Sequence, residues 1–213
     1  MLRPRALILD MDGLMIDSEP LWWSVERSVA ATFDKTWTDE MAHRCIGTGL
    51  PNTVLTMQTL LGIELGVDEG VQRLVEAFIA QLGALELKPG CRELLDAAKA
   101  RGLALAVASS STLRLIEAVL ERFAFASRFD AVVSGESVER CKPAPDIFVR
   151  AAALLGIEAS DCVVLEDSRA GVEAARAARI PVIAVPERDH QSFDALTAHV
   201  AADLHEARAM LGL

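Results

Sequence analysis

No two cysteines in this chain stand in a C-x-x-C pair. The four, Cys45, Cys91, Cys141 and Cys162, are scattered. That spacing indicates neither a zinc site nor a disulfide framework, and a reducing, cytoplasmic setting is expected. Positive charge is also in short supply. Against 31 Asp and Glu there are 21 Lys and Arg, a net charge of -10, which argues against nucleic acid or an anionic membrane as a partner. An anionic substrate stays open, because a bound cation or a local lysine can reverse the field at a site. The 4 histidines show no metal-ligand spacing. No apolar stretch is long enough to span a bilayer, and the N-terminal apolar run stops at Asp10, so no signal peptide is expected. There is no internal repeat and no low-complexity segment. What the chain does have is apolar content: 52% of 213 residues, enough for a sizeable core in one or two domains.

The run from Leu7 to Asp17 organises the rest. Leu7, Ile8 and Leu9 are too few for a helix and suit a fully buried strand, the kind found in parallel sheets covered on both faces. Asp10 and Asp12 follow directly, where open α/β sheets place their chemistry, and Gly13 lets the chain turn away. Ser18, Glu19 and Pro20 then read as a helix start. From Leu21 to about Gly90 the apolar spacing is helical. One helix opens at Leu50-Pro51-Asn52 and closes at Gly62; another opens at Asp68 and closes at Gly83. After Gly90, strands and helices alternate. Strands are expected over 103–108, 131–133, 162–165 and 181–185, with helices over 91–101, 112–122, 146–155, 170–178 and 204–211. The pattern predicts a doubly wound parallel α/β sheet from residues 1–16 and 89–213, with a small helical cap, 17–88, inserted after the first strand.

Polar groups end the strands: Asp10 and Asp12, Ser109, Lys142 shortly after the third strand, then Glu166 and Asp167. Clustered carboxylates repel each other unless a cation lies among them, and oxygen ligands without His or Cys select a hard ion such as Mg²⁺. Lys142 and Ser109 supply a point charge and a hydroxyl donor for an anion. Together these groups amount to a phosphoryl-transfer site in which a carboxylate can serve as nucleophile. The substrate class expected is a small phosphorylated metabolite.

The segments Asp10-Met-Asp-Gly-Leu, Ala108-Ser-Ser-Ser, Lys142-Pro-Ala-Pro-Asp-Ile-Phe and Leu165-Glu-Asp-Ser-Arg-Ala-Gly resemble, in order, the four motifs of the haloacid dehalogenase superfamily. The cap position resembles the subgroup of β-phosphoglucomutases and sugar-phosphate phosphatases. Within it, Asp12-Gly-Leu-Met-Ile-Asp-Ser-Glu-Pro-Leu-Trp is similar to the bacterial hexitol and 2-deoxyglucose-6-phosphate phosphatases. The resemblance implies a Mg²⁺-dependent phosphatase. In it Asp10 attacks phosphorus. Asp12 protonates the leaving oxygen, later deprotonates the hydrolytic water, and offers its main-chain carbonyl to Mg²⁺. Ser109 and the amide of Ser110 hold the phosphoryl group, and Lys142 bridges nucleophile and phosphate. Asp167 is a metal ligand, with Glu166 as a ligand or the support of one.

Departures sharpen the reading. The dehalogenases lack the second aspartate, whereas Asp12 is present. The mutases carry a histidine where this chain has Trp22, and His43 is the only histidine in the insert, so a phosphomutase is the rival enzyme. Lys35 and Lys88 lie in no motif for the imine-forming lysine of phosphonate hydrolysis. A non-enzymatic phospho-acceptor module is the rival of another class, but such a module needs no helical insert. The turn Gly47-Thr-Gly-Leu-Pro-Asn52 lacks the third glycine of a dinucleotide loop; in this family it faces the site, so Trp22, Thr48 and Asn52 are the candidate substrate-contacting residues of the cap. Trp22 and Trp23 point about 100° apart on a helix, one toward the core and one toward the cleft. Arg179 stands where the family usually has a helix-ending glycine. A monomer is expected.

Overall fold

Alternating apolar residues at helical spacing produce the first of two compact units, Ser18–Leu85. The computed structural model describes residues 2–186, 193 and 195–213. In this unit lie α1 (Glu19–Ala31), α2 (Asp39–His43), α3 (Leu50–Leu61) and α4 (Val67–Ala80). α1 buries Leu21, Val25, Val29 and Ala30, and with them one carboxyl, Glu26. α3 packs on α4; α3 buries Val54, Met57 and Leu61, and α4 buries Leu74, Val75 and Phe78. The two helices come close because Gly70 has no side chain: a Cβ there would lie 2.5 Å from a Val54 methyl. Gly62, in the left-handed region at φ 62°, closes α3.

α1 starts where Ser18, Glu19 and Pro20 predict, but local details depart from expectation. Ser18 occupies the N-cap position of α1, but its hydroxyl caps nothing; its carbonyl accepts the Trp22 N–H at 2.9 Å. α4 starts at Val67 and ends at Ala80, and Gly83 lies beyond it in a 3-10 turn, Leu82–Ala84. There Gln81 satisfies two terminal carbonyls, so no glycine is needed. Leu55, although it follows Val54 within α3, is exposed.

The second unit, Met1–Asp17 with Glu86–Leu213, is built on five strands: β1 (Ala6–Leu9), β2 (Ala104–Ser109), β3 (Ala131–Ser134), β4 (Cys162–Glu166) and β5 (Val182–Ala184). They form one parallel sheet in the order β3-β2-β1-β4-β5. Around it lie α5 (Cys91–Ala100), α6 (Leu113–Arg122), α7 (Asp146–Leu155), α8 (Arg169–Ala177) and α9 (Leu204–Met210). β1 is central and wholly buried, which is why it reads as a continuous aliphatic run. Burying each of its Leu and Ile side chains contributes roughly 1.5–3 kcal/mol. Ile147, Phe148, Ala151 and Ala152 of α7 and Val172, Ala174 and Ala175 of α8 belong to the same core as Ile8, Val133 and Val164. All four cysteines are free thiols, three of them buried. Among the described residues no helix is long and apolar enough to cross a membrane.

Within this unit the chain leaves and returns at one place. Asp17 N–H donates to Glu86 O at 3.0 Å, Lys88 N–H to Met15 O at 2.9 Å, and Ile16 and Leu87 form an antiparallel bridge.

Candidate active site

The parallel register decides which polar groups meet. Leu9 lies level with Val107 on one side and Leu165 on the other. The next step along each strand sets Asp10 beside Glu166, and the Asp10 N–H donates to Leu165 O at 3.1 Å. Two carboxyls side by side at a sheet edge need a cation, and Lys142 supplies one. Its ammonium donates to Asp10 Oδ1 and, at 2.6 Å, to Glu166 Oε1. The Nζ also lies 5.0 Å from the centre of the Phe148 ring. These are buried charges: Asp10 is 5% exposed, Glu166 0%, and the Lys142 side chain 7%. Burial pushes the Asp10 carboxyl up to about 7, against the pull of Lys142 and with the help of Glu166. Burial alone would depress Lys142; the Asp10 and Glu166 carboxylates outweigh it and hold the ammonium above its ordinary value.

The second oxygen of Glu166 is taken by the start of α8. Its Oε2 accepts the Ser168 N–H at 2.7 Å and the Ser168 hydroxyl at 2.9 Å. Ser168 Oγ in turn accepts the Gly171 N–H at 3.1 Å, as an N-cap does. Glycine is required at 171, because a Cβ would fall 1.8 Å from Glu166 Oε1. A similar restriction holds at Gly13, where φ is +80° and a Cβ would lie 2.3 Å from Asp167 Oδ2. Asp10, Glu166 and Asp167 each offer an oxygen within 4.8 Å of the others. Three carboxylates against one lysine leave negative charge that a hard cation would offset, so this buried cluster could hold a metal ion.

Asp12 is half-buried, and its Oδ2 accepts two hydroxyls: Ser111 at 2.8 Å and Ser109 at 3.3 Å. Ser109 Oγ also accepts the Ser111 N–H at 3.1 Å. The end of β3 braces this loop. Ser134 Oγ donates to Ser111 O at 2.7 Å, Glu136 accepts the Leu113 N–H at 2.8 Å, and a Cβ on Gly135 would lie 2.7 Å from Ser110 O.

Asp10, Asp12, Ser109, Lys142, Glu166 and Asp167 therefore gather at the carboxyl ends of β1, β2 and β4, and Ser110 is exposed beside them. Trp22, Thr48 and Asn52 belong to the helical unit. There Trp22 stacks on Phe78 with ring centres 4.3 Å apart, and Asn52 Nδ2 donates to Thr48 O at 2.9 Å. Trp22 and Trp23 are both half-buried, so neither is a core residue; Trp23 lies against His43. Sequence reasoning gave no role to Ser111, Ser168 and Gly171, although its motif segments contain them, and passed over Gly135. For Ser168 a signal exists, since a serine just ahead of a helical run is an N-cap pattern.

The sequence profile described as Haloacid dehalogenase-like hydrolase matches residues 7–185. The chain is 37% identical over 202 residues to hexitol phosphatase B of Escherichia coli strain K12, covering 88% of this chain and 86% of that one. It is 32% identical over 183 residues to the phosphorylated carbohydrates phosphatase of Thermotoga maritima, covering 83% and 82%. Among solved structures, CbbY from Rhodobacter sphaeroides in complex with phosphate superposes with a TM-score of 0.88 at 27% identity, covering 99% of this chain and 100% of that one.

Proposed function

The chain belongs to the haloacid dehalogenase-like hydrolases and is a phosphatase of that family, and from that premise we propose that it hydrolyses a small sugar or polyol phosphomonoester, with Mg²⁺, through a phosphoryl group carried on Asp10. The observation that carries the reading is the single ammonium of Lys142 held between the Asp10 and Glu166 carboxyls. It gives the nucleophile a fixed orientation and gives an incoming phosphate a positive charge already in place, so little reorganisation accompanies the reaction.

An oxygen of Asp10 attacks phosphorus. The ester P–O bond breaks, its electron pair goes to the leaving oxygen, and Asp12 supplies that oxygen with a proton. Asp12 then takes a proton from a water whose oxygen attacks the aspartyl phosphate, and the Asp10–phosphorus bond breaks to restore the carboxylate and release phosphate. Ser109 and the Ser110 amide hold the transferring group. Asp10, Asp167 and the main-chain carbonyl of Asp12 are the ligands we assign to Mg²⁺; Glu166 joins or supports them. When bound, the ion neutralises charge on the phosphoryl oxygens. We assign the choice of sugar to the helical segment 17–88, with Trp22, Thr48 and Asn52 as its contacts.

The test is phosphate release from a panel of sugar, polyol and nucleotide monophosphates with and without Mg²⁺, alongside Asp10→Asn. Borohydride reduction during turnover would convert an acyl phosphate at residue 10 to homoserine, detectable by mass. Release that needs Mg²⁺, disappears in Asp10→Asn and leaves homoserine at position 10 is the expected result. Interconversion of β-glucose 1-phosphate and glucose 6-phosphate without net release would replace the reading with a phosphomutase.

A further inference from the structure

We infer that Ser111, the third serine of the loop after β2, is the positioning residue for the proton donor Asp12, while Ser109 serves the phosphoryl group. The inference rests on the phosphatase reading above. Both hydroxyls reach the same atom, Asp12 Oδ2, but unequally. The Ser111 contact is 2.8 Å, a full-strength O–H···O bond, and the Ser109 contact is 3.3 Å, beyond the usual range for that bond type. Ser109 has a second duty, since its oxygen accepts the Ser111 N–H. Ser109 can therefore turn its proton toward a phosphate while Asp12 keeps its stronger partner.

A carboxyl group rotates about its Cβ–Cγ bond, and proton transfer to the leaving oxygen needs that rotation fixed. Ser111 is equipped to fix it. Its own main chain is pinned from β3, where Ser134 Oγ donates to the Ser111 carbonyl and Gly135 admits the Ser110 carbonyl at a distance no other residue would allow. Both contacts go to main-chain atoms. Replacing the Ser111 side chain therefore removes the bond to Asp12 and leaves the loop braced.

The step affected is specific. As the ester P–O bond breaks, its electron pair goes to the leaving oxygen. An alkoxide needs the Asp12 proton at that moment, whereas a dinitrophenolate departs without one. The parameter to measure is kcat/KM, which covers attack by Asp10 and departure of the leaving group but not hydrolysis of the phospho-enzyme. Native enzyme, Ser111→Ala, Ser111→Thr and Ser109→Ala are compared with Mg²⁺ on the best alkyl phosphate of the panel and on 2,4-dinitrophenyl phosphate. Inhibition by inorganic phosphate is measured for each.

Ser111→Ala is expected to lose about 10- to 100-fold on the alkyl ester and less than about threefold on the dinitrophenyl ester. Its inhibition by phosphate and its unfolding midpoint should stay native. Ser111→Thr, which keeps a hydroxyl, should recover most of the alkyl activity. Ser109→Ala should weaken phosphate inhibition and depress both esters. Equal losses on the two esters in Ser111→Ala, weakened phosphate inhibition in that variant, or no loss at all would overturn the assignment. Inactivity of the native enzyme on both esters would instead overturn the phosphatase reading, and the assignment with it.

Discussion

In the α/β unit two buried carboxyls, Asp10 and Glu166, share one buried ammonium; in the helical unit the buried carboxyl of Glu26 meets the neutral N–H of Trp37 at 2.8 Å. Burial pushes Asp10 and Glu26 alike up to about 7; what differs is the partner. Where the partner carries charge, it cannot be removed cheaply. Where the partner is a neutral donor, no opposite charge is lost with it. The first arrangement suits a site in which charge must be ready before the substrate arrives. The second is a structural bond whose contribution depends on pH. A buried acid is therefore informative about function through what answers it, and burial alone says little.

Four sets of substitutions test that contrast. The largest effect is expected from the same exchange, acid to amide, made once in each unit. Asp10→Asn should lower kcat/KM by at least about 10³-fold, while Glu26→Gln, which keeps size and acceptor oxygen, should leave it unchanged. A steady-state assay on the preferred ester checks both. Next is Lys142→Met. Leaving Asp10 and Glu166 without their ammonium should cost about 3–5 kcal/mol in urea unfolding; a smaller cost would mean that the two acids discharge each other by sharing a proton.

Glu26→Gln follows, with the opposite sign. The folded value of about 7 lies above the ordinary 4.5, so the protonated side chain favours folding at low pH. That advantage fades as pH climbs from about 4.5 through 7, and above it the native protein carries the full burden of a buried charge. The variant should match the native protein near pH 4.5 and exceed it by about 3 kcal/mol at pH 8. A difference independent of pH would assign the Glu26 bond a purely steric role. The smallest effects concern backbone. Arg179 and Ala124 of the α/β unit and Asp34 of the helical unit all have φ near +58°, at 59°, 57° and 57°. Glycine at 179 or 124 should stabilise by about 1 kcal/mol. Glycine at 34 should gain less, since aspartate already tolerates that region. Thermal midpoints rank the three.

The sheet is legible in the sequence because β1, β2 and β4 are buried on both faces and read as unbroken aliphatic runs that end abruptly in Asp10, Ser109 and Glu166. A parallel register then brings strand ends together without further instruction. Other features have no such period behind them. Glu26 falls on the apolar stripe of α1, and its hydrogen-bond donor, Trp37, is eleven residues away on another segment. Ser109, Ser110 and Ser111 are indistinguishable as letters. What separates them is a loop held by Ser134 at the end of β3 and by Gly135 just after it. Ser18 has the chemistry of a cap and sits in the cap position, yet its αR backbone (φ -87°, ψ -20°) departs from the extended conformation typical of an N-cap.

The paired segments at Asp17 and Glu86 have a modular meaning. Because Asp17 and Lys88 bond across to Glu86 and Met15, the sheet unit keeps the two ends of residues 18–85 as neighbours whatever lies between them. The entropy of closing such a loop grows only logarithmically, about 0.6 kcal/mol for each doubling of length. The insertion point is thus thermodynamically almost blind to the size of what it carries. A different helical segment could be exchanged there while Asp10, Lys142 and Glu166 kept their geometry. On the assignment of substrate choice proposed above, recognition would be a cassette and catalysis the chassis.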